Sequence, residues 1–372
     1  MVPLLFPFFF VLLSSLKFEF FNSNNNGKTI LWITLYLYLI VIIGLRYMVG
    51  GDSYFYSIYY DNFNTDYLLD TILTNGYQPL FTIITYISKQ ISTSFISFQV
   101  IHALIINTSL FYFIKKNSNY PFTTLFLCFL IFYLNFSVEI LRESLAVMVF
   151  IFNYKNFEQN KWIRYYSGVL ISTLFHLSAL FLIFLPFSKF LKLNWKYVII
   201  LIICYLLLNK LDHLFVIFEN VENISAKINN YSEAYYGWKS SLLFLITRTL
   251  IPVSIFLIAK FKYKMTIKYE PLITSLGILG IFSVFNTIIF TRFTNYFLIF
   301  YCIAFADVLI QIIKYKKLTI SKLIVYGIII ISLVTYGYAS FYWPSDYYKK
   351  WIPYYSVFSK EAINNKFIDR DY

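Results

Sequence analysis

The chain has 372 residues, of which 59% are hydrophobic and 13% are charged, and its mean hydropathy is +0.66. Soluble globular domains carry about 25% charged residues, so this composition excludes a water-facing enzyme domain. The formal net charge of +13 does not favour nucleic-acid binding, because the basic residues form short clusters between apolar blocks, where membrane proteins place them.

A series of apolar blocks predicts an all-α protein, a polytopic transmembrane helical bundle with about 11–13 membrane segments. Many of the blocks approach the ~20 residues that a helix needs to span a bilayer. In chain order they cover residues 2–16, 29–45, 98–114, 121–137, 139–154, 163–187, 197–209, 242–259, 271–290, 293–313 and 323–341. Since no polar stretch is long enough for a second domain, residues 1–372 are predicted to form a single integral-membrane domain.

Basic clusters separate these blocks and predict their orientation, because cytoplasmic loops of membrane proteins are enriched in Lys and Arg. The clusters contain Lys115 and Lys116; Lys155, Lys161 and Arg164; Lys189, Lys192 and Lys196; Lys260, Lys262, Lys264 and Lys268; and Lys314, Lys316, Lys317 and Lys322. With all of them cytoplasmic, the outer face receives a first loop at 46–97, a second loop at 210–241 and a C-terminal tail at 342–372.

This topology makes two demands on the helices. The block 163–187 must break at its polar middle into two short helices, with the apex near His176. The polar stretch Phe81–Ser94 is predicted to be an interfacial helix of the first outer loop, because a crossing there would move the next basic cluster to the outer face.

Arginines embedded in apolar sequence are candidates for function, since an intramembrane charge costs about 2.5–3.5 kcal/mol. Arg142 follows Glu139 by three residues, so an intrahelical ion pair is the alternative to a role in binding. Arg292 has no acidic residue within a helical turn and suits an external anion such as a phosphate, unless another helix supplies its partner. Arg248 offers a further guanidinium, which faces cytoplasmic or outer water according to its register.

Candidate bases lie on the same predicted face. Asp52 follows Gly50-Gly51 directly after a membrane helix, where a carboxylate can activate a hydroxyl, orient a sugar or cap a helix. His176 is either a core histidine or a base. The histidines are scattered and the three cysteines lie inside apolar runs, so no metal site is predicted. The residues predicted to converge on the outer face are Asp52, Gln78, Glu139, Arg142, His176 and Arg292.

Several short motifs occur along the chain between about residues 50 and 360. They are Gly51-Asp52 with Tyr54, Tyr56 and Tyr59; Gln78-Pro79-Leu80-Phe81; Ile140-Leu141-Arg142-Glu143-Ser144-Leu145-Ala146; Phe175-His176-Leu177-Ser178-Ala179; Arg292-Phe293 with Tyr296; and Ile352-Pro353-Tyr354-Tyr355-Ser356. In their order and spacing these motifs resemble the EpsG family of bacterial exopolysaccharide proteins, which is grouped with the Wzy-type polysaccharide and O-antigen polymerases. Two positions depart from the family pattern. Gln78 replaces a usual Glu and cannot be a required carboxylate, and Glu143 replaces a usual Gln and changes the partner available to Arg142.

The resemblance implies a multi-pass glycosyltransferase of the bacterial inner (cytoplasmic) membrane, similar to the glycosyltransferase C class, with its active site facing outward. It implies a polysaccharide polymerase that joins undecaprenyl-diphosphate-linked oligosaccharide repeat units at the outer leaflet, in surface polysaccharide, O-antigen or exopolysaccharide biosynthesis. The expected partners are the lipid-linked donor and acceptor, the bilayer, and a possible chain-length regulator and flippase of the same pathway. Neither a cofactor nor nucleic acid is expected. The alternatives are another membrane glycosyltransferase or ligase that uses polyprenyl-linked sugars, and a flippase or transporter of lipid-linked glycans.

Roles for individual residues follow from the resemblance and from the chemistry of the substrate. The expected diphosphate ligands are Arg142, Arg292 and Arg248, since a guanidinium can grip two phosphate oxygens. The expected sugar contacts are Tyr54, Tyr56 and Gln78. The base that takes the proton of the acceptor hydroxyl is His176, Asp52 or Glu139, with His176 preferred because imidazole titrates near neutral pH.

Overall fold

The computed structural model describes residues 2–21, 26–74, 76–208, 242, 245–282, 287–314 and 354–362. Helices connected by turns and short loops make up these residues, and the extended pairing seen among them is an isolated antiparallel bridge between Arg46 and Ser356. The chain divides into two compact units, Met1–Leu180 with Gly337–Tyr372 and Phe181–Tyr336. The predicted all-α class is therefore confirmed for the part of the chain that the structure describes.

The first unit contains a run of helices that follows the predicted apolar blocks and the first outer loop. Its α-helices are α1 (Val2–Ser15), α2 (Lys28–Gly44), α3 (Ser53–Asp61), α4 (Leu68–Thr74), α5 (Pro79–Ile91), α6 (Phe95–Asn117), α7 (Pro121–Ile131), α8 (Leu141–Glu158) and α9 (Trp162–Thr173). Short π-helical stretches cover Leu16–Phe20 and Asn135–Glu139, and a 3₁₀ stretch covers Val357–Ala362.

The second unit is also helical in its described residues. A 3₁₀ stretch, Leu177–Phe190, carries the chain into it. It is followed by α10 (Trp195–Leu208), a π-helical stretch at Leu245–Leu250, α11 (Ile251–Lys262), α12 (Glu270–Phe282), α13 (Thr287–Asn295) and α14 (Leu298–Lys314). An ion pair between Lys260 Nζ and Glu270 Oε1, at 2.7 Å, links α11 to α12. The same carboxylate oxygen accepts a hydrogen bond from the backbone N–H of Leu193, so it also ties down the segment before α10.

In the first unit α2 and α6 pack antiparallel. The rings of Trp32 and Phe111 lie with centroids 4.7 Å apart, which joins the start of α2 to the end of α6. At the opposite ends the helices approach closely, because a Cβ added to Gly44 would lie 3.1 Å from Val100 Cγ2.

The helices α8 and α9 form a second antiparallel pair. Asn153 Nδ2 donates to Tyr165 O at 2.8 Å, and Ser172 Oγ donates to Ala146 O at 2.7 Å. A Cβ at Gly168 would overlap the Asn153 amide, so glycine at this position permits the close approach of the two helices.

By contrast, α6 and α8 run parallel, so the basic residues near their C-terminal ends lie on the same side of the first unit. His102 Nε2 lies 3.1 Å from Leu141 O at the start of both helices, and the rings of Phe113 and Phe152 lie 6.3 Å apart toward their ends. The last turns of these helices, and the start of α9, carry Lys115, Lys116, Lys155, Lys161 and Arg164. These basic residues therefore lie at one end of the first unit, and Arg142 lies at the other.

One helix of the described residues, α6, is long and apolar enough by length and composition to cross a membrane, and several other apolar helices have 10–17 residues. The 17 residues of α2 rise about 26 Å, close to the ~30 Å thickness of a bilayer's hydrocarbon core. The structure thus supplies one clear candidate span and several shorter apolar helices for the predicted bundle.

Predicted blocks and observed helices differ where polar residues interrupt the apolar runs. The block 121–137 divides into α7 and the π-helical stretch Asn135–Glu139. The break expected near His176 is present, since α9 ends at Thr173 and the next helical stretch begins at Leu177. Residues 287–295 form one helix through Arg292, whereas the sequence analysis ended one block at 290 and began the next at 293. Block 323–341 and loop 210–241 lie outside the described residues.

The predicted first outer loop, residues 46–97, folds into short helices, α3, α4 and α5, before α6 begins at Phe95. The predicted interfacial helix at Phe81–Ser94 corresponds to α5, which begins slightly earlier, at Pro79. Its buried side chains, which recur at helical spacing, are Phe81, Thr82, Thr85 and Ser88. The C-terminal segment 354–362 packs on the start of this loop, as the bridge between Arg46 and Ser356 shows.

Candidate active site

A tight turn after α2 brings the residues before α3 against the residues before α8. Gly50 has φ +117°, and a Cβ there would lie 2.7 Å from Val138 Cγ1, so both the backbone conformation and the close contact require glycine. The backbone N–H of Gly51 donates to both carboxylate oxygens of Glu139, each at 2.9 Å. The turn therefore fixes the position of the residue that follows it, Asp52.

Asp52 lies at the N-terminal end of α3 with an exposed side chain. It occupies the N-cap position but makes no side-chain capping hydrogen bond, so the alternative role of a helix cap is not seen. One helical turn further on, the Tyr56 N–H donates to Asp52 O. Burial raises the pKa of the Tyr56 hydroxyl to about 12, and the nearby Asp52 carboxylate adds to that rise. An exposed carboxylate thus lies within about one helical turn of Tyr56.

Arg142, in the first turn of α8, contacts three uncharged groups. Its Nε donates to Tyr56 Oη at 3.4 Å, and its Nη1 donates to Gln78 Oε1 at 3.2 Å. The guanidinium carbon lies 4.6 Å from the centroid of the Tyr77 ring, within the range of a cation–π interaction. Because none of these partners carries a negative charge, they orient the half-buried guanidinium without neutralising it.

Two of the three predicted sugar contacts lie beside Arg142, and their contact with a sugar stays a prediction. Tyr56 is buried and Gln78 is half-buried, and both hydrogen-bond to Arg142. Tyr54, in contrast, is 39% exposed.

An aromatic cluster lies beneath the guanidinium. The ring of Tyr77 lies 4.3 Å from that of Tyr59 and 5.7 Å from that of Phe81, measured between centroids. Burial raises the pKa of Tyr59 to about 12, so this hydroxyl stays neutral. Tyr77 is not among the residues predicted from sequence, although it directly precedes the Gln78 motif.

Glu139 does not share a helical face with Arg142, and this expectation was wrong. The π-helical stretch ends at Glu139, and Ile140, with φ −88° and ψ 56°, separates it from α8. The three-residue spacing pairs side chains only on a continuous helix. The Glu139 carboxylate is buried instead and binds the Gly51 N–H.

His176 lies at the break after α9, next to the start of α5. The backbone N–H of Leu80 donates to Leu174 O at 3.1 Å, which joins the His176 break to the segment that carries Gln78. Nδ1 of His176 accepts the backbone N–H of Ser178 at 3.2 Å and lies 2.7 Å from the Ser178 hydroxyl. With Nδ1 accepting, a neutral ring carries its proton on Nε2 and presents a donor there.

The remaining predicted ligands belong to the second unit. Arg292 is half-buried on α13, and the neighbouring Phe293 stacks on Phe181 with ring centroids 4.6 Å apart. The backbone of Arg248 lies in the π-helical stretch Leu245–Leu250, and its side chain lies outside the described part of the structure. Their convergence with Arg142 stays a prediction. Among the described residues no group of three His, Cys, Asp or Glu side chains is placed to hold a metal ion.

The motifs that build this site all fall inside one family match. The model of the EpsG family matches residues 29–356 of the 372. This chain belongs to the EpsG family. Neither a curated protein nor a solved structure matches it. Membership implies a polysaccharide-polymerase-like function of the glycosyltransferase type on lipid-linked polysaccharide substrates. Proteins of the EpsG family are membrane polymerases, and the apolar helices agree with a membrane location.

Proposed function

We propose that this EpsG-family protein polymerises undecaprenyl-diphosphate-linked oligosaccharide repeat units at the outer leaflet of the bacterial inner membrane. The observation that carries the proposal is the environment of Arg142. Its guanidinium is oriented by three uncharged side chains, Tyr56, Gln78 and Tyr77, and suits an anion as a further ligand. A lipid diphosphate needs such a cation at headgroup depth.

The surface of the helices supports a membrane location. On α2 the exposed apolar side chains recur at helical spacing: Ile30, Ile33, Leu37 and Val41. A soluble protein rarely exposes a contiguous apolar face of this kind. With the basic end of the first unit in the cytoplasm, as the positive-inside rule requires, the end that carries Arg142 and Asp52 faces outward. That is the side on which lipid-linked repeat units are polymerised in this proposal.

The proposed reaction transfers the growing glycan from its lipid diphosphate to the nonreducing sugar of another lipid-linked repeat unit. The acceptor hydroxyl oxygen attacks the anomeric carbon of the donor glycan. The bond between that carbon and the diphosphate oxygen breaks, and the lipid diphosphate leaves with the electron pair. Arg142 stabilises the negative charge that develops on the leaving group.

Asp52 is the residue we assign as the base that takes the hydroxyl proton. Its carboxylate is exposed and does not cap α3, whereas the carboxylate of Glu139 is buried against Gly51. The donor at His176 Nε2 suits a hydrogen bond to a substrate oxygen better than proton abstraction. This reverses the order of preference between His176 and Asp52 that the residue types alone suggested.

Other parts of the proposal concern the second unit and the partners. Arg292 and Arg248 are proposed as further diphosphate ligands, so that the donor and acceptor lipids each meet a cation. Tyr54 is proposed as a sugar contact. The flippase that delivers the substrate and the chain-length regulator are proposed partners in the same pathway.

The decisive experiment incubates the full-length protein in membranes with a purified undecaprenyl-diphosphate-linked repeat unit and separates the products on a gel. Polymerisation gives a ladder of glycans that differ by one repeat unit. Addition of one sugar would instead identify another type of glycosyltransferase. Movement of the lipid across vesicles without any product would identify a flippase.

A further inference from the structure

The end of α2 carries a buried arginine that the proposed reaction does not use. Arg46 is 1% exposed. Its Nη1 donates to Ile43 O at 2.6 Å, and its Nε donates to Val49 O at 3.3 Å. From sequence it looks like an ordinary charged residue at the end of an apolar block. In the structure it holds the backbone at the beginning of the turn that leads to Asp52.

Glu139 holds the same turn at its other end. Both of its carboxylate oxygens accept the Gly51 N–H, and the turn is closed by Ser53, whose Oγ donates to Val49 O at 2.7 Å. Burial lowers the pKa of Arg46 to about 10, while the negative charge of Glu139 opposes that fall. The two side chains bind the same three-residue turn, Arg46 at Val49 O and Glu139 at the Gly51 N–H, so their opposite charges act on one short segment.

The C-terminal segment packs on both sides of Arg46. The Tyr47 N–H donates to Tyr355 O at 2.9 Å, and the Val357 N–H donates to Leu45 O at 3.0 Å. The Tyr354 hydroxyl adds a hydrogen bond to Ile42 O at 2.8 Å. The aromatic motif that ends the family match thus braces the backbone from which Arg46 projects.

We infer that Arg46 and Glu139 are positioning residues, which together hold the Val49–Gly51 turn so that Asp52 stays about one helical turn from Tyr56, the residue that hydrogen-bonds to Arg142. The inference rests on the proposed function and assigns Glu139 a role other than that of a base. A buried charge needs its counter-charge, since loss of one partner leaves the other desolvated and unpaired. A displacement of a catalytic group by ~1 Å can reduce turnover by about 100-fold.

The test compares Glu139→Gln, Arg46→Gln and the double variant in the polymerisation assay. The Glu139→Gln variant keeps an oxygen for the Gly51 N–H but leaves Arg46 without its counter-charge, so kcat should fall by about 10- to 100-fold with KM for the lipid-linked donor nearly unchanged. The double variant removes both charges and keeps polar groups at both positions. It should recover at least ~5-fold in kcat over Glu139→Gln, because no buried charge is left uncompensated.

Glu19→Gln is the matched control. Glu19 is also a buried carboxylate that accepts backbone N–H groups, those of Phe122 and Thr123 at the start of α7, but it lies at the basic end of the first unit. This variant should lower the thermal stability of the detergent-solubilised protein without a selective fall in kcat.

Two results would overturn the inference. A folded double variant with a kcat as low as that of Glu139→Gln would mean that the Glu139 carboxylate itself takes part in the reaction. A Glu139→Gln variant with wild-type kcat would mean that the charge of Glu139 does not position the turn. If Glu139→Gln does not fold, the double variant decides, because kcat within ~10-fold of wild type supports the inference and a larger loss overturns it. Failure of the proposed function is recognised separately, because the wild-type protein would then give no product ladder.

Discussion

Replacement of Arg142 by lysine tests the proposed diphosphate ligand most directly. Lysine keeps the positive charge but lacks the planar fork that can bind two phosphate oxygens. The variant also loses the hydrogen bonds from Nε to Tyr56 and from Nη1 to Gln78, at 3.4 and 3.2 Å. The substitution therefore changes the hydrogen-bonding geometry at position 142 and keeps its positive charge.

The expected magnitudes for stability and catalysis differ. The two lost hydrogen bonds are long and go to neutral partners, so their loss should lower the free energy of unfolding by only about 1–2 kcal/mol. Loss of one of two charge-assisted contacts to the leaving diphosphate should cost about 1.5–3 kcal/mol in the transition state. At about 1.36 kcal/mol for each factor of ten, this corresponds to a decrease of about 10- to 150-fold in kcat/KM.

The assay follows ladder formation from the purified lipid-linked repeat unit over time, with equal amounts of protein in the membranes. Arg164→Lys is the matched control, because Arg164 is exposed at the start of α9, at the basic end of the first unit. It should polymerise at the wild-type rate. The same substitution at Arg292 should reduce kcat/KM if that residue binds a second diphosphate. Equal rates for wild type, Arg164→Lys and Arg142→Lys would refute the diphosphate-clamp role.

Three further predictions use the same assay or the folded protein. Asp52→Asn should lower kcat by at least ~100-fold, because a general base contributes about 10²–10⁴-fold to the rate. His176→Gln should lower kcat by less, and the opposite order of the two kcat values would make His176 the base. Gln78→Leu should lower kcat/KM by about 5- to 10-fold, because Arg142 Nη1 loses its hydrogen bond to Gln78 Oε1. A wild-type kcat/KM in this variant would contradict the orienting role of Gln78. Gly50→Ala should lower the free energy of unfolding by about 1–3 kcal/mol, because φ of Gly50 is +117° and the new Cβ would overlap Val138. An unchanged midpoint of thermal unfolding would show that the turn adapts to the alanine.

The sequence determined those features that depend on local pattern. Apolar blocks predicted most of the described helices, because burial of a helical stripe follows from residue type and spacing. The positions of basic clusters required a break near His176, and the chain does break between Thr173 and Leu177. Counting crossings also placed Gln78 and Arg142 on one face, and in the structure their side chains hydrogen-bond.

Only the tertiary structure decided which polar groups meet. A helical repeat predicted Glu139 beside Arg142, but the π-helical stretch and the backbone of Ile140 turned the carboxylate to Gly51, 88 residues away in sequence. The burial of Arg46 and its bracing by the C-terminal segment likewise join distant parts of the chain. Periodicity reports which face of a helix is apolar and carries no information on which segment covers it. The partner of a buried charge is selected by the cost of leaving it unpaired, and that cost arises only once packing has excluded water.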